Sequence, residues 1–428
     1  MSEYKKRVAD EILKDNLEAA GIIIIEGTKW CGKTTTAEQQ AGSIVYMNDP
    51  EHSETYLGLA QNSPKLLLKG DTPRLIDEWQ DAPELWDCAR FEVDHRTVKT
   101  GQFIFTGSTV IPKEKLEKIK HTGTGRAAWI TMRPMALWES GESNGDLSLG
   151  ALFDGTAEEA YESNELDIEK IAWLICRGGW PAALSMSKKG ALKQSVNYID
   201  AIAGRDISAV DDVRRDKDFT LRLLRSYARF QGAQAPLTSI YEDMKANADS
   251  SMSEETISSY VSALRKLFVI EDAPAWNPNL RSKTAIRTSD TRYFVDPSIA
   301  TAAMGVGPED LIGDLNTMGL LFETMCVRDL RVYSEILDGH LYHYRDKNGL
   351  ECDAVIHLRN GKYGLVEIKL GGQRLIEEGI ATLTALSGKI DTNRMKEPSF
   401  RMVLTGTGAY AYKRKDGIWI APIGCLKP

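Results

Sequence analysis

The sequence predicts an α/β chain built in successive parts: a sheet unit at the N-terminus, a helical middle and a second α/β unit at the C-terminus. Three observations predict it. "GIIIIEGTKWCGKTTTAEQQA" (21–41) reads as a buried strand, a glycine-rich turn and the opening of a helix. Residues 191–266 carry apolar side chains at helical spacing. "LECDAVIHLRNGKYGLVEIKLG" (350–371) alternates along two neighbouring strands.

Bulk properties bound this reading. A length of 428 residues allows about three domains, each with its own core. Apolar and charged fractions of 42% and 27% are those of a globular protein and exclude a disordered or fibrous chain. A net charge of -8 argues against coating nucleic acid non-specifically, so any phosphate contact is expected to be local. The six cysteines stand apart with no CxxC pair, which fits reduced thiols and no zinc site. The four isoleucines that follow a charged helical stretch are too few for a leader or a membrane span, so a soluble, cytoplasmic chain with no membrane partner is expected.

Gly27, Thr28, Lys29, Trp30, Cys31, Gly32, Lys33 and Thr34 fit GxxxxGK[ST] between a strand and a helix that continues through Thr35. That context makes a phosphate cradle for ATP or ADP: glycines turn backbone N–H groups inward, Lys33 neutralises the outer phosphates and the Thr34 hydroxyl binds Mg²⁺. In "PRLIDEWQ" a short strand ends in Asp77 and Glu78; Asp77 is expected to hold Mg²⁺ through water and Glu78 to polarise the attacking water. "GQFIFTGS" is another buried strand, with Thr106 or Ser108 placed to sense the γ-phosphate. "HTGTGRAAWITM" flanks Arg126 with glycine, a candidate arginine finger acting within the chain or on a neighbouring copy. His121 reads as a solvated loop residue.

Past residue 139 the composition turns acidic, as in a lid or linker, and "IAWLICRGGWPAAL" reads as an apolar helix stopped at Gly178-Gly179 and Pro181. Leu221, Leu224, Tyr227 and Ala228 are expected in the core. The stretch from "LTSIYEDMK" to "LFVIEDAPAW" gives helix, loop, helix and short strand, the order of a winged helix, with Ser253 at a helix N-terminus. Arg281, Lys283, Arg287 and Arg292 supply the basic cluster that would touch DNA phosphates.

Taken in order, "GTKWCGKTT", "LIDEWQ", "FIFTGS", "TGRAAWITMRPMALWE", "RGGWPAAL", "RYFVDPSIA" and "ECDAV…VEIK" resemble an AAA-type ATPase family of bacteria and archaea. In that family a P-loop domain is followed by a C-terminal domain similar to PD-(D/E)xK nucleases. The likeness covers nearly the whole chain. It implies an AAA-like sheet with strands near 22–26, 43–48, 73–77, 102–106 and 127–132. The chain departs from the family at Trp30-Cys31, where basic or small residues are usual.

Four domains follow: 1–140, an AAA-type P-loop ATPase domain; 141–230, a helical linker or lid; 231–300, winged-helix-like; and 301–428, restriction-endonuclease-like. The last is an αβββαβ unit with a helix near 316–336, strands near 341–345, 350–358 and 363–370, a helix near 373–388 and a strand near 400–405. By parity Tyr363, Leu365, Glu367 and Lys369 share one strand face, and Glu351, Asp353, Val355 and His357 share one face of the preceding strand, each becoming polar and wet toward one end. A two-residue turn opposes Asp353 to Ile368, whereas a three-residue turn, Arg359-Asn360-Gly361, opposes Asp353 to Glu367 and Glu351 to Lys369. In that second register Asp353 and Glu367 would hold Mg²⁺ and Lys369 would orient or deprotonate water. The nuclease resemblance adds Glu323 as a further acid from the preceding helix.

Two functions are therefore expected. In one, ATP hydrolysis gates a C-terminal site that cleaves or binds DNA with a divalent metal. In the other, a nucleotide-switched DNA- or protein-binding module carries an inactive nuclease fold. A further copy of the chain is an additional candidate partner.

Overall fold

A computed structural model describes residues 4–108, 124–159, 164–211, 213–246, 252–277, 289–390 and 395–428. His121 and three of the four basic residues of the expected DNA contact (Arg281, Lys283 and Arg287) lie outside the described residues.

Five parallel strands open the chain: β1 (Ile22–Gly27), β2 (Ser43–Tyr46), β3 (Arg74–Asp77), β4 (Phe103–Gly107) and β5 (Ala127–Met132), in the order β2-β3-β4-β1-β5. The four isoleucines divide between two cores. Ile22 and Ile24 pack with Ile76, Phe103 and Phe105, while Ile23 and Ile25 pack with Leu75, Ile104, Ile130 and Met132. A parallel strand covered on both faces reads as a continuous apolar run, which is why "IIII" shows no alternation. The loop after β1 sits at the carboxyl end of the sheet, where open α/β sheets bind ligands.

The C-terminal unit has the expected element order. Helix Leu315–Glu335 precedes β7 (Gly339–Arg345), β8 (Glu351–Leu358) and β9 (Tyr363–Lys369); helix Gln373–Lys389 and β10 (Phe400–Thr405) follow. The sheet then gains β11 (Tyr412–Lys413) and β12 (Ile418–Pro422) in the order β11-β12-β10-β9-β8-β7. A two-stranded piece pairs β6 (Leu147–Ser148) with β13 (Leu426–Lys427). That pairing corrects the reading of 139–170 as a linker. Asn144 N–H donates to Gly424 O (2.8 Å), Asn164 N–H to Ala409 O (2.7 Å), and the Phe153 ring meets Phe400 edge-on at 5.0 Å. The acidic segment is sewn to the C-terminal sheet by main-chain bonds that composition does not report.

Between these sheets the middle is helical: Ile168–Arg177, Lys188–Ala201, Lys217–Arg229, Leu237–Lys245, Glu254–Lys266 and Pro297–Met304. Leu224, Tyr227 and Ala228 are buried as expected, and Leu221 packs partly buried against them. Ser253 caps its helix by accepting from Thr256 N–H (3.2 Å). Among the described residues of 231–300 the antiparallel pairing is by single bridges, Ile270 with Phe294 and Ala273 with Thr291. One apolar core runs from Leu137 through Leu264 and Phe322 to Leu404 and Leu426, crossing the boundaries expected at 230 and 300. Those segments do not carry separate cores.

Candidate functional sites

The phosphate loop is held in a shape that few residues allow. Gly27 has φ 145, and a Cβ there would lie 2.0 Å from the Met132 carbonyl oxygen; Gly32 has φ 100. Both are conformations glycine reaches without the Cβ penalty. Lys33 is buried, and its Nζ donates to the carbonyls of Gly27 (2.9 Å) and Thr28 (2.8 Å), acceptors with which phosphate oxygens would compete. Thr34 Oγ1 and Thr106 Oγ1 both donate to Asp77 Oδ1, at 2.7 and 2.5 Å. Asp77 is thereby fixed beside the hydroxyl that would share its metal ion. Thr106 is buried and faces Asp77 from β4, whereas Ser108 lines the cleft.

Glu78 stands at φ 57, ψ 43, a left-handed conformation that costs a non-glycine residue on the order of 1–3 kcal/mol and recurs at active sites. Its Oε2 accepts from Gln80 Nε2 and, at 3.4 Å, from Ser108 Oγ. Lys29, Lys33, Thr34, Thr35 and Glu78 open on one cleft of about 1030 Å³, whose far wall is Pro181 and Met186 with the helix bearing Lys193 and Asn197. The fit to a nucleoside triphosphate rests on this arrangement: a glycine-shaped loop, a buried ammonium, and a hydroxyl–carboxylate pair at the strand end.

Four residues of this site escape the motif. Arg7 is buried, donates to Cys31 O and Arg133 O at 2.8 Å each, and lies 3.1 Å from Glu139 Oε1. It ties the loop to the end of the sheet. Tyr198 meets the Trp30 ring edge-on at 5.5 Å and its hydroxyl bonds Thr28 Oγ1; Asp206 pairs with Lys29 at 2.8 Å; Pro181 overhangs the loop. Trp30, half exposed at φ 66, thus stands against the helical region, which accounts for an aromatic at this position. Nothing in the motif signals these partners: Arg7 precedes the first helix, and Pro181, Tyr198 and Asp206 lie about 150 or more residues further along the chain.

Arg126 is found at the wrong end of the sheet for an in-chain finger. It precedes Ala127, which pairs with Ile22, whereas the phosphate loop follows Gly27 beside Met132. About five residues of strand, roughly 16 Å, separate the two ends. Its Nε pairs with Asp94 Oδ1 at 2.6 Å. This placement does not support action within the chain.

In the C-terminal sheet the turn has the odd count that the register required. Gly361 N–H donates to Leu358 O (3.0 Å), Leu358 N–H to Lys362 O (2.9 Å), and Gly361 has φ 83. The ladder runs from His357–Tyr363 to Ala354–Val366, and one further step faces Asp353 with Glu367. Lys369 joins them, with Nζ 3.1 Å from Asp353 Oδ2 and 2.7 Å from Glu367 Oε2. Asp353 Oδ2 also accepts from Ile368 N–H at 2.7 Å.

Three expectations fail here for one reason each. Strict alternation breaks because β8 bulges against β7: His343 alone stands opposite Asp353 and Ala354, so Cys352 and Val355 fall into the same core. No wet face exists, since helices cover both sides of the sheet and Glu367 is only 3% exposed. Glu351 pairs with Arg345 (3.1 Å) rather than Lys369, which is drawn to the buried carboxylates.

Glu323 reaches the cluster from its helix and takes the Tyr293 hydroxyl on Oε1. Burial, then the Asp353 charge, pushes the Glu323 carboxyl well above its usual range, and the same two causes raise Glu367 to about 8. Burial works against the Lys369 ammonium, yet Asp353 and Glu367 together hold it above its ordinary value. One ammonium among three carboxyls leaves two charges unbalanced if all ionise, so protons stay on. Among the described residues no three His, Cys, Asp or Glu side chains converge as a metal site. The cluster offers two carboxylates with Lys369 between them.

Of the four basic residues expected at DNA only Arg292 is described, and it is engaged inside the protein. Arg292 is buried, 2.6 Å from Asp272 and donating to Ala235 O; Arg265 pairs with the same Asp272 at 2.6 Å, and Lys266 lies 3.7 Å from Asp211. Arg292 is therefore a core residue, not a phosphate contact. No helix among the described residues is long and apolar enough to cross a membrane.

An AAA domain matches residues 19–140, a domain of unknown function (DUF8612) residues 168–310 and another (DUF4143) residues 318–426. No curated protein matches. Among solved structures, the Walker-type ATPase PABY2304 of Pyrococcus abyssi aligns at 13% identity and TM-score 0.39 over 71% of this chain and 99% of that one. The Aeropyrum pernix ORC2 protein aligns at 13% identity and TM-score 0.33 over 72% and 92%, and Thermotoga maritima RuvB at 14% and 0.25 over 62% and 88%. The matched domain and the loop geometry together make residues 19–140 an AAA-type P-loop domain that binds ATP.

Proposed function

We propose that the chain hydrolyses ATP at the β1–β3 site and that the nucleotide state acts on the C-terminal acid–lysine cluster. The observation that carries the first half is the shared Asp77 oxygen, which accepts from Thr34 and Thr106 one residue before Glu78. Mg²⁺ held by Thr34 and, through water, Asp77 would neutralise charge on the outer phosphates. Lys33 leaves the loop carbonyls for phosphate oxygens. Glu78, kept in place by Gln80 and Ser108, orients water toward the γ-phosphorus. Arg126 of one copy would complete the site of another. The test is phosphate release from ATP by the full chain, with Glu78→Gln expected to bind ATP and lose turnover.

For the C-terminal unit the reading is a PD-(D/E)xK-type site acting on DNA. Asp353 and Glu367 would hold a divalent cation, which would supply the two positive charges that three carboxyls and one ammonium lack. Lys369 would then turn from the carboxylates to water or to the phosphodiester. A specific observation favours the second reading, a binding module without cleavage: Lys369 sits between the carboxylates while Tyr293 occupies Glu323. A nicking screen over Mg²⁺ and Mn²⁺ with several DNA forms, with and without ATP, separates the two. Cleavage that disappears in Asp353→Ala establishes the first; binding that changes between ATP and ADP, with no cleavage, establishes the second.

A further inference from the structure

The Lys29–Asp206 pair joins two parts of the molecule at the nucleotide cleft. Lys29 lies in the phosphate loop, two residues past Gly27, and lines the cleft with Lys33 and Glu78. Its ammonium lies 2.8 Å from Asp206 Oδ1, with the two side chains 38% and 16% exposed. Asp206 ends a five-residue π-helical segment, Ile202–Asp206, that continues the helix Lys188–Ala201. Such segments are rare, lose the regular i→i−4 bonding, and recur where a helix must respond to a ligand.

Arg7 is buried and held by Cys31 O, Arg133 O and Glu139, and Lys5 holds Ser140 O at 2.5 Å. Lys29 is more exposed and paired with one carboxylate, which competes poorly for an ammonium against a multiply charged phosphate chain. The neighbouring loop residues Thr28 and Trp30 rest on Tyr198 of the same helix that leads into the π segment. Any exchange of partner by Lys29 therefore acts on the seat of the helical region.

We infer that Lys29 distinguishes ATP from ADP: it pairs with Asp206 in one state and transfers to the terminal phosphate of a nucleoside triphosphate in the other, freeing the π segment. The inference rests on the ATPase reading and gives it a partner-exchange step. A ligand shifts such an equilibrium only through its differential affinity for the two states, so the third phosphate is what drives it.

The test measures binding of ADP and of a non-hydrolysable ATP analogue to the full chain by titration calorimetry. Asp206→Asn releases Lys29 and is expected to tighten the ATP analogue about 5–20-fold while ADP changes less than about 2-fold. Lys29→Met is expected to weaken the ATP analogue by at least about 10-fold with little change in ADP, and the double variant to behave as Lys29→Met. Equal shifts for both nucleotides, or no shift in Asp206→Asn, overturn the inference while leaving the ATPase reading standing. If the folded, unaltered chain binds neither nucleotide, the ATPase reading falls and this inference with it; Lys33→Ala, expected to lose both ligands, keeps the two failures distinct.

Discussion

The nucleotide loop and the C-terminal cluster are opposite problems in charge. In the first, a buried ammonium is surrounded by loop carbonyls, and the surplus is positive. In the second, Lys369 pairs with two of three clustered carboxyls, and the surplus is negative, so burial and mutual repulsion hold protons on Glu323 and Glu367. One site is built to receive an anion; the other relieves its charge with protons and a lysine or, in the proposed reading, with a cation. The difference shows that a site's demand for a ligand can be read as a charge imbalance among buried groups before any ligand is considered.

The comparison breaks most visibly at Lys33. Lys33→Ala is expected to weaken ATP and ADP binding by at least about 100-fold, on the order of 2.7 kcal/mol, measured by calorimetry, while leaving the acid cluster untouched. Equal loss of C-terminal metal response in this variant would show that the two sites are not separable. On stability, and not on binding, the largest effect belongs to the buried triad that ties the regions together. Arg328 lies 2.8 Å from Asp296 and 2.7 Å from Asp329, all at 2% exposure or less, and Asp296 also accepts Gly179 N–H while Asp329 accepts Leu137 N–H. Arg328→Met is expected to cost about 3–5 kcal/mol in denaturant unfolding, because it strands buried carboxylates.

Glu367 sharpens the electrostatic half of the comparison. The folded chain keeps its proton up to about pH 8, whereas an exposed glutamate releases it near 4.5. Stability therefore falls as pH rises between those values, since the folded state binds more protons there. Glu367→Gln is expected to remove part of that slope and to raise stability at pH 8.5 by about 1–3 kcal/mol relative to the unaltered chain, with little gain at pH 4. Millimolar Mg²⁺ or Mn²⁺ is expected to raise the melting temperature at pH 8 in the unaltered chain and not in Asp353→Ala. The smallest effect belongs to Arg126→Ala: the pair with Asp94 is exposed, so the melting temperature stays within error, and turnover falls only at protein concentrations where copies associate.

Legibility in the sequence follows the same division. Eight consecutive residues specify the phosphate loop, because a phosphate cradle is made of backbone N–H groups and one local lysine. Asp77 and Glu78 are found by their place at a strand end. The odd turn at Arg359-Asn360-Gly361 was readable as a condition, since only parity and a left-handed glycine are needed. The bulge at Asp353-Ala354 was not, because it depends on β7. Tyr293, Arg7, Tyr198 and Asp206 lie outside the motifs, and no spacing rule brings them to the sites. Arg292 reads as functional because it stands in a basic cluster, and only the fold shows that its partner is an internal carboxylate.

The account turns on the phosphate loop as a working ATPase. The most direct measurement is steady-state phosphate release from ATP with Mg²⁺ by the full chain, beside Lys33→Ala and Glu78→Gln. Turnover in the unaltered chain, loss of both binding and turnover in Lys33→Ala, and retained ATP binding with turnover lowered about 10²-fold or more in Glu78→Gln are the predicted results. Phosphate release no greater than that of Lys33→Ala, in a folded chain that binds ATP, would contradict it.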